Sequence, residues 1–390
     1  MTSIAMKAEV RQTQGGTQAP LLPVYNRSGL TIESGAGVWL KTDDGRSLLD
    51  FSSGVAVVNL GHRHPEVLEA ASAQLNRIWH TSNHFWSSPM VGLANRLSDR
   101  FGGAEVFFCN SGAEANEAVI KYARKATGRP GIVALNQSFH GRTCGALSLT
   151  GQPAKRDIFR PLLPGVSFVD ANDIEGLKAA VTDQVGLVIM EAIQGEGGVR
   201  PLTREYVQAA RAITRDRGAL LAIDEIQCGV GRTGTFFGFE TLQVRPDLVS
   251  MAKGLANGLP IGAMLVSTEA CGAFGVGDHA TTFGGNPVAC AAACSVVDAV
   301  TDDLLENCRR QGERLRAGVK DFAKVREVRG RGLLLGCELD MSAADAVAAC
   351  REHGLIATVA GANVLRLTPP LVIKNEDVET GLKILSKVLA

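Results

Sequence analysis

The chain has no excess of charge of either sign: 40 Lys and Arg are matched by 40 Asp and Glu in 390 residues. That balance excludes long-range steering of a polyanion and gives no ground for a nucleic-acid surface or an acidic partner. No apolar run approaches the roughly 18 residues of a membrane span, and the N-terminus has no short apolar block of the kind a secretory signal carries. Cysteine occurs nine times but never as CxxC, and the closest pair, Cys290 and Cys294, lies one helical turn apart in an alanine-rich stretch. Scattered and odd in number, these thiols are expected to be reduced core residues of a cytoplasmic protein. No internal repeat and no low-complexity block is present.

What is there suits a large folded core. Hydrophobic residues make up 45% and charged ones 21% of the chain, which does not favour disorder. Single cores seldom outgrow about 250 to 300 residues, so two domains are expected. Through the middle of the chain, short apolar runs at 106–109, 131–135, 186–191, 220–223, 248–251 and 262–266 alternate with helical patterns such as 111–125 and 204–217. Apolar strands without a polar face, alternating with helices, predict a mostly parallel sheet covered on both faces.

The two ends read differently. Residues 37–51 predict a hairpin turning at Asp44 and Gly45, and Pro65 suits the first turn of a helix running to 79. A long helix is expected after Pro287, a second over 304–322, strands near 328–339 and 364–367, and a final helix from Glu376. The expected division is a frayed polar tail at 1–19, a large domain over 65–286, and a smaller α+β domain built from 20–64 and 287–390.

Chemistry is suggested first by Lys253, in SMAKGL, and by the acidic pair Asp224 and Glu225 that closes the apolar run Leu220 to Ile223. A lysine amine condenses with an aldehyde to form an imine. A pyridine ring carrying that aldehyde withdraws electrons from a substrate carbon only while its nitrogen stays protonated, and a carboxylate at a strand end can hold that proton. A solvated loop lysine and an ordinary strand terminus are the bland alternatives. The flanking residues argue against them: LLAIDEIQCGVG at 220–231 and SMAKGLANGLPIGAM at 250–264 closely resemble the cofactor-binding segments of the class III, or omega, aminotransferases. The resemblance runs from about residue 20 to the C-terminus. It implies the type I α/β fold, pyridoxal 5'-phosphate bound to Lys253, Asp224 on the ring nitrogen and Gln227 near the ring hydroxyl, with Glu225 structural.

Asn110, Ser111 and Gly112 follow a strand and open a helix, a geometry in which backbone N–H groups and the helix dipole bind an anion. Ser111 with Glu114 equally fits a capping box. CNSGAEANEAVIKYAR resembles the family's phosphate cradle, which implies Ser111, Gly112 and Ala113 as phosphate contacts. Phe139, in SFHGRT, matches the aromatic residue that stacks on the cofactor ring. Thr282, in ATTFGGNP, matches a threonine that reaches the phosphate from the partner subunit, which implies a homodimer with shared active sites.

Substrate-facing positions come from the same resemblance. Arg142 and Arg366 are guanidinium groups shaped for bidentate carboxylate contact, although a surface position is the commoner fate of arginine. In the ornithine and acetylornithine branch their counterparts bind substrate carboxylates, which implies Arg142 for the distal end and Arg366 for the 1-carboxylate of 2-oxoglutarate. Glu196, in QGEGG, matches a glutamate that pairs with the second arginine while the donor is bound. Tyr25, in LLPVYNRS, matches a tyrosine that helps recognise the donor, although Ser28 and Gly29 replace the family's usual aromatic and proline. Ala256 and Asn257 stand where the family has more glycine, a departure expected to narrow or reshape the pocket.

Two other patterns are set aside. Gly229, Gly231 and Gly234 spell GxGxxG after a strand, but no helix pattern follows and no acidic residue waits at a ribose position, so a tight loop beside the cofactor is expected instead of a dinucleotide site. His62 and His64 form an HxH without a third ligand, and no metal is expected. His140 could serve as a general base, a role a released Lys253 already fills. The expected reaction is transfer of the terminal amine of N-acetylornithine to 2-oxoglutarate, a step of arginine biosynthesis. Succinylornithine, ornithine and 4-aminobutyrate are the alternative donors, a pyridoxal-phosphate-dependent aminomutase or racemase the alternative reaction, and a non-enzymatic binding protein the third reading.

Overall fold

The computed structural model describes residues 21–390 and, ahead of them, the backbone of Gln12–Thr13 and Gly16–Thr17, which pair antiparallel. The rest of the tail expected at 1–19 lies outside the described residues. At the centre is a seven-stranded sheet in the order Ala104–Cys109, Gly262–Ser267, Leu248–Met251, Leu220–Asp224, Val185–Glu191, Gly131–Leu135, Val166–Val169. Gly262–Ser267 runs antiparallel to both neighbours, and every other pairing is parallel. The sheet is therefore mostly parallel, as the alternation of apolar runs predicts. Val166–Val169, which the apolar runs do not reveal, is an edge strand in which Val166 and Phe168 are half-buried, Ser167 is exposed and Val169 is buried.

Local sequence sets the crossover helices. Gly112–Thr127 is capped by the Ser111 hydroxyl, which accepts from Glu114 N at 3.2 Å, and ends at Gly128 in the left-handed region with φ 66°. Its inner face, Ala115, Ala118, Val119 and Ala123, is fully buried against the sheet. Arg204–Arg217 is bounded in the same way by Thr203 and by Gly218 at φ 64°. Elsewhere helix ends shift by a few residues. Pro65–Leu75 stops short of 79 because the Trp79 indole N–H donates to the Leu75 carbonyl at 2.7 Å and the Asn76 amide to Ser72 O at 2.9 Å, occupying the acceptors of a further turn. Asp302–Val319 starts before 304 because Thr301 caps it.

Two four-stranded sheets form the remainder. One runs Val325–Arg331, Leu334–Leu339, Val364–Leu367, Thr358–Val359; the other runs Leu355–Ile356, Ser47–Asp50, Trp39–Thr42, Ile32–Ala36. Leu355–Ile356 pairs in parallel with Ser47–Asp50, so the N-terminal hairpin and the C-terminal segment share one sheet. They also share one core, in which Val38, Leu49 and Phe51 pack with Leu335, Leu365 and Leu385. The helix Pro287–Ala299 buries Cys290, Ala293 and Val296 in the core of the central sheet instead.

Arg232 ties these parts together. It is fully buried, and it donates to Leu333 O at 3.0 Å, Pro369 O at 2.5 Å and Asn59 Oδ1 at 2.6 Å. Burial alone brings its guanidinium down to about 10, against weak opposing pulls from Cys308 and Asp50. The glycine-rich loop around it departs from expectation. A Cβ on Gly231 would lie 2.7 Å from Leu371 Cδ1 and one on Gly234 2.6 Å from Arg309 Cγ, so these glycines let the loop press on the C-terminal segment, away from the cofactor pocket. His62 is engaged by Asp50 at 2.8 Å, and the described residues contain no cluster able to hold a metal.

Arg232→Ala strands three buried acceptors and opens a void, which predicts a loss of about 3 kcal/mol or more of stability. The measurement is the shift of the urea midpoint; an unchanged midpoint would contradict this account of the joint.

Candidate active site

Parallel register places Asp224 level with Glu191 on one side and Ser250 on the other. Three adjacent strand ends therefore deliver two carboxylates and, just past Met251, the amine of Lys253. They open on a cavity of about 400 Å³ at the carboxyl edge of the sheet, where α/β folds usually bind ligands. Ser111, Gly112 and Ala113 line it, as do Phe139, Arg142, Glu196, Gln227 and Lys253.

Asp224 is buried, and each of its oxygens is satisfied. Oδ2 accepts from Asn116 Nδ2 at 2.9 Å and lies 2.7 Å from His140 Nδ1; Oδ1 accepts from Ile226 N at 3.0 Å. Asn116 also donates to His140 O at 2.7 Å, which fixes the two helpers to each other. Burial works to lower the His140 pKa, but the Asp224 contact outweighs it and the net shift is upward. Glu191 is the second carboxylate. It accepts from Phe139 N at 3.1 Å and Gly195 N at 3.3 Å, and burial, with Asp224 adding, pushes it up to about 7 against the pull of His140.

Lys253 follows Leu248–Met251 with φ 45°, a left-handed conformation that a residue with a side chain adopts at an expense of order 1–3 kcal/mol. The next residue must be glycine, since a Cβ on Gly254 would lie 2.5 Å from Asn59 Nδ2. Loss of hydration, followed by the nearby Arg366 cation, brings the Lys253 amine down to about 8, with Glu196, Asp224 and Glu191 opposing. Ala256 and Asn257 do not line the cavity. Asn257 accepts from Leu60 N and donates to Gly61 O, each at 2.9 Å, so it tethers the loop after the lysine to the N-terminal segment and does not reshape the pocket.

The third group is a gate of charges. Arg366 is buried; it pairs with Glu196 Oε1 and donates to Gly195 O at 2.8 Å, Gln227 Oε1 at 3.2 Å and Thr358 Oγ1 at 3.1 Å. Gln227 is thus engaged by Arg366 while lining the same cavity. Burial favours the protonated form of Glu196, but Arg366 and Lys253 outweigh it and hold the carboxyl below its usual range.

At the helix start both readings of the sequence coexist. The Ser111 hydroxyl caps the helix by accepting from Glu114 N, while Glu114 Oε2 accepts from Asn110 N at 2.5 Å, one residue before the N-cap, so only half of the expected capping box forms. Gly112 and Ala113, the first residues of the helix, line the cavity. These features fit pyridoxal phosphate: N–H donors for its phosphate, an aromatic face in Phe139, a buried carboxylate for its ring nitrogen and an amine for its aldehyde. Tyr25 is not brought to the cavity, and Thr282, expected to serve a partner subunit's site, lies outside it as well. Tyr25 is 72% exposed with the Arg27 guanidinium over its ring, and Thr282 is exposed in a separate cleft beside His80 and Asn286. Asn116 and Glu191 escaped the sequence reading of the site, an asparagine inside a helix and a second strand-end carboxylate being their only signals, and His140, weighed there as a general base, instead contacts Asp224.

The chain matches the family "Aminotransferase class-III" over residues 24–389. It is 47% identical to an acetylornithine aminotransferase of Streptomyces coelicolor over 95% of this chain and 94% of that one. Its fold superposes on the crystal structure of an N-acetylornithine aminotransferase from Stenotrophomonas maltophilia with a TM-score of 0.82, at 36% identity over 93% and 96% of the two chains. An ornithine aminotransferase from Toxoplasma gondii, in a structure with partial occupancy of PLP at the active site, superposes with a TM-score of 0.91 at 30% identity, covering 95% and 91%.

Since the neutral amine is the nucleophile, capture of pyridoxal phosphate by the apo-protein is expected to accelerate as pH rises through about 8. Stopped-flow absorbance reads this directly. A half-rise at the ordinary lysine value of 10.5 would refute the lowered amine.

Proposed function

The chain belongs to the class III aminotransferases, and from that membership we propose that it transfers the terminal amine of N-acetylornithine to 2-oxoglutarate, giving N-acetylglutamate semialdehyde and glutamate. This is the step the sequence suggests for arginine biosynthesis. The enzyme works with pyridoxal 5'-phosphate, which when bound offers an aldehyde to amines and a ring that stabilises negative charge on the adjoining carbon. In this reading the large domain, 65–286, carries the cofactor, and 20–64 with 287–390 forms the smaller domain, except that the helix Pro287–Ala299 packs into the core of the large one.

The residues divide the work. Gly112 and Ala113 offer N–H groups to the phosphate and Ser111 shapes the turn; Phe139 orients the ring, and Gln227 stands near its hydroxyl. Asp224, braced by Asn116 and His140, would accept a charge-assisted hydrogen bond from the protonated ring nitrogen and so keep the proton there. Lys253 would hold the aldehyde, and its amine, once freed by the donor, would serve as the base that moves the proton from the carbon bearing the donor's amine. Arg142 takes the carboxylate at the donor's distal end; Tyr25, exposed and outside the cavity lining, takes no part in this contact.

The observation that carries the assignment is the pairing of Arg366 with Glu196 at the cavity wall. With Glu196 in place, the pocket beside Lys253 presents a neutralised arginine to the methylene chain of a terminal-amine donor. When 2-oxoglutarate enters, its 1-carboxylate replaces Glu196 on Arg366. An aminomutase or racemase needs no second carboxylate substrate and has no use for such a gate. The relatives named for N-acetylornithine favour that donor over ornithine, succinylornithine and 4-aminobutyrate.

We propose further a cytoplasmic homodimer with shared sites. All nine cysteines are free, although Cys144 is exposed and Cys271 and Cys294 only partly buried, so not all are core residues. Trp79, Phe85, Trp86 and Phe283 are exposed near Thr282, and Trp86 reaches 87% exposure, an unusual apolar surface for an isolated subunit.

In a donor panel at fixed 2-oxoglutarate, kcat/KM for N-acetylornithine is expected to exceed that for ornithine and 4-aminobutyrate by about tenfold or more. A higher value for either competitor would reassign the donor. Trp86→Glu is expected to yield monomers by sedimentation and to weaken cofactor retention by about tenfold, because the partner's Thr282 is lost from the phosphate; an intact dimer would move the interface elsewhere.

A further inference from the structure

Beyond the site residues already assigned, one cation at the cavity mouth has no task. Lys155 lies in the short helix Pro153–Arg156, with its Nζ 5.1 Å from the centre of the Phe139 ring; the Arg142 guanidinium lies 5.6 Å from the same ring. The helix is held to the Phe139 loop by Gln152, whose amide donates to Gln137 O and Ser138 O at 3.2 Å each. Its neighbour Arg156 is fully occupied: it pairs with Asp157 at 3.0 Å, donates to Thr150 O at 3.2 Å and packs over Phe168 at 4.3 Å.

Lys155 and Arg142 are not so engaged. Among the described residues neither meets a carboxylate within ion-pair distance, yet both are gathered over one aromatic ring that lines the cavity. Partial burial, offset in part by Glu196, and then the Arg142 and Arg366 cations lower the Lys155 pKa. The Arg142 cation works against the Lys155 ammonium, and an anion reached by both offsets that repulsion while gaining two attractions.

We propose that Lys155 is a specificity-determining residue that joins Arg142 in a two-cation mouth for the carboxylate at the non-reacting end of the donor. The inference rests on the transaminase reading above and adds the residue that sets its preference for a donor anionic at that end. Arg142 supplies a planar fork, and Lys155 a point charge on a flexible stem that can follow the carboxylate as the chain length of the substrate varies. The distal carboxylate of 2-oxoglutarate meets the same pair in the second half-reaction.

The test compares wild type, Lys155→Met and Lys155→Arg holoenzymes with N-acetylornithine and its α-carboxamide as donors. Lys155→Met is expected to raise KM for N-acetylornithine about five- to tenfold with kcat within about twofold, and to lower the preference for carboxylate over carboxamide by the same factor. Lys155→Arg is expected to restore the preference. An unchanged preference in Lys155→Met, or an equal loss with both donors, overturns the proposal. A wild-type enzyme that turns over neither donor overturns the donor assignment itself, and this inference with it; the two failures are thereby told apart.

Discussion

A carboxylate placed almost out of reach of water is the constraint around which this molecule is arranged. Asp224 is 3% exposed, and a charge in that position persists only with partners supplied by the fold. Three donors come from separate segments: Asn116 from a helix, His140 from the loop after Gly131–Leu135, two strands away in the sheet, and the Ile226 amide from its own turn. Those positions require the parallel register of the central sheet and the seat of Gly112–Thr127 on it. A shift of one residue in that register would turn Asp224 to the opposite face and disperse the group.

A second charge arrangement answers a different need. The cavity must accept a neutral chain and later a carboxylate beside the same lysine, and a fixed positive group would favour only the second. Arg366 paired with Glu196 resolves this by carrying its own displaceable anion. Rigidity comes from below, since Arg366 is also held by Gly195 and Thr358, while Arg232 fixes Pro369 a few residues on. In the proposed reaction the arginine would stay fixed and the glutamate would be the part that moves. The same Arg232 reaches Asn59, against which Gly254 packs, so the lysine loop and the strand carrying Arg366 share one anchor.

Much of this was legible in the sequence because it resides in local patterns. Apolar runs between helical periods gave the sheet, Ser111 marked the start of the first crossover helix, and the residues around Asp224, Lys253 and Arg366 carried the chemistry. The edge strand Val166–Val169 was missed because its exposed face breaks the apolar run. The loop glycines at 229–234 were placed beside the cofactor on sequence proximity to Asp224, whereas their backbone turns toward Leu371 and Arg309. Asn257, read as a change to the pocket, proved to be a tether to Leu60 and Gly61.

The sequence by itself determined which groups this protein has for chemistry: an amine, a strand-end acid, a helix start with free N–H groups and two arginines, since residue type and immediate neighbours suffice to state what each can do. Only the tertiary structure decided which of them act together. Asn116 meets Asp224 across 108 residues of chain, Glu196 meets Arg366 across 170, and Lys155 comes to share a ring with Arg142 through the fold of a loop. Contacts of that kind follow from sheet register and helix packing, which sum many weak apolar contacts over the whole chain and leave no mark at any single position.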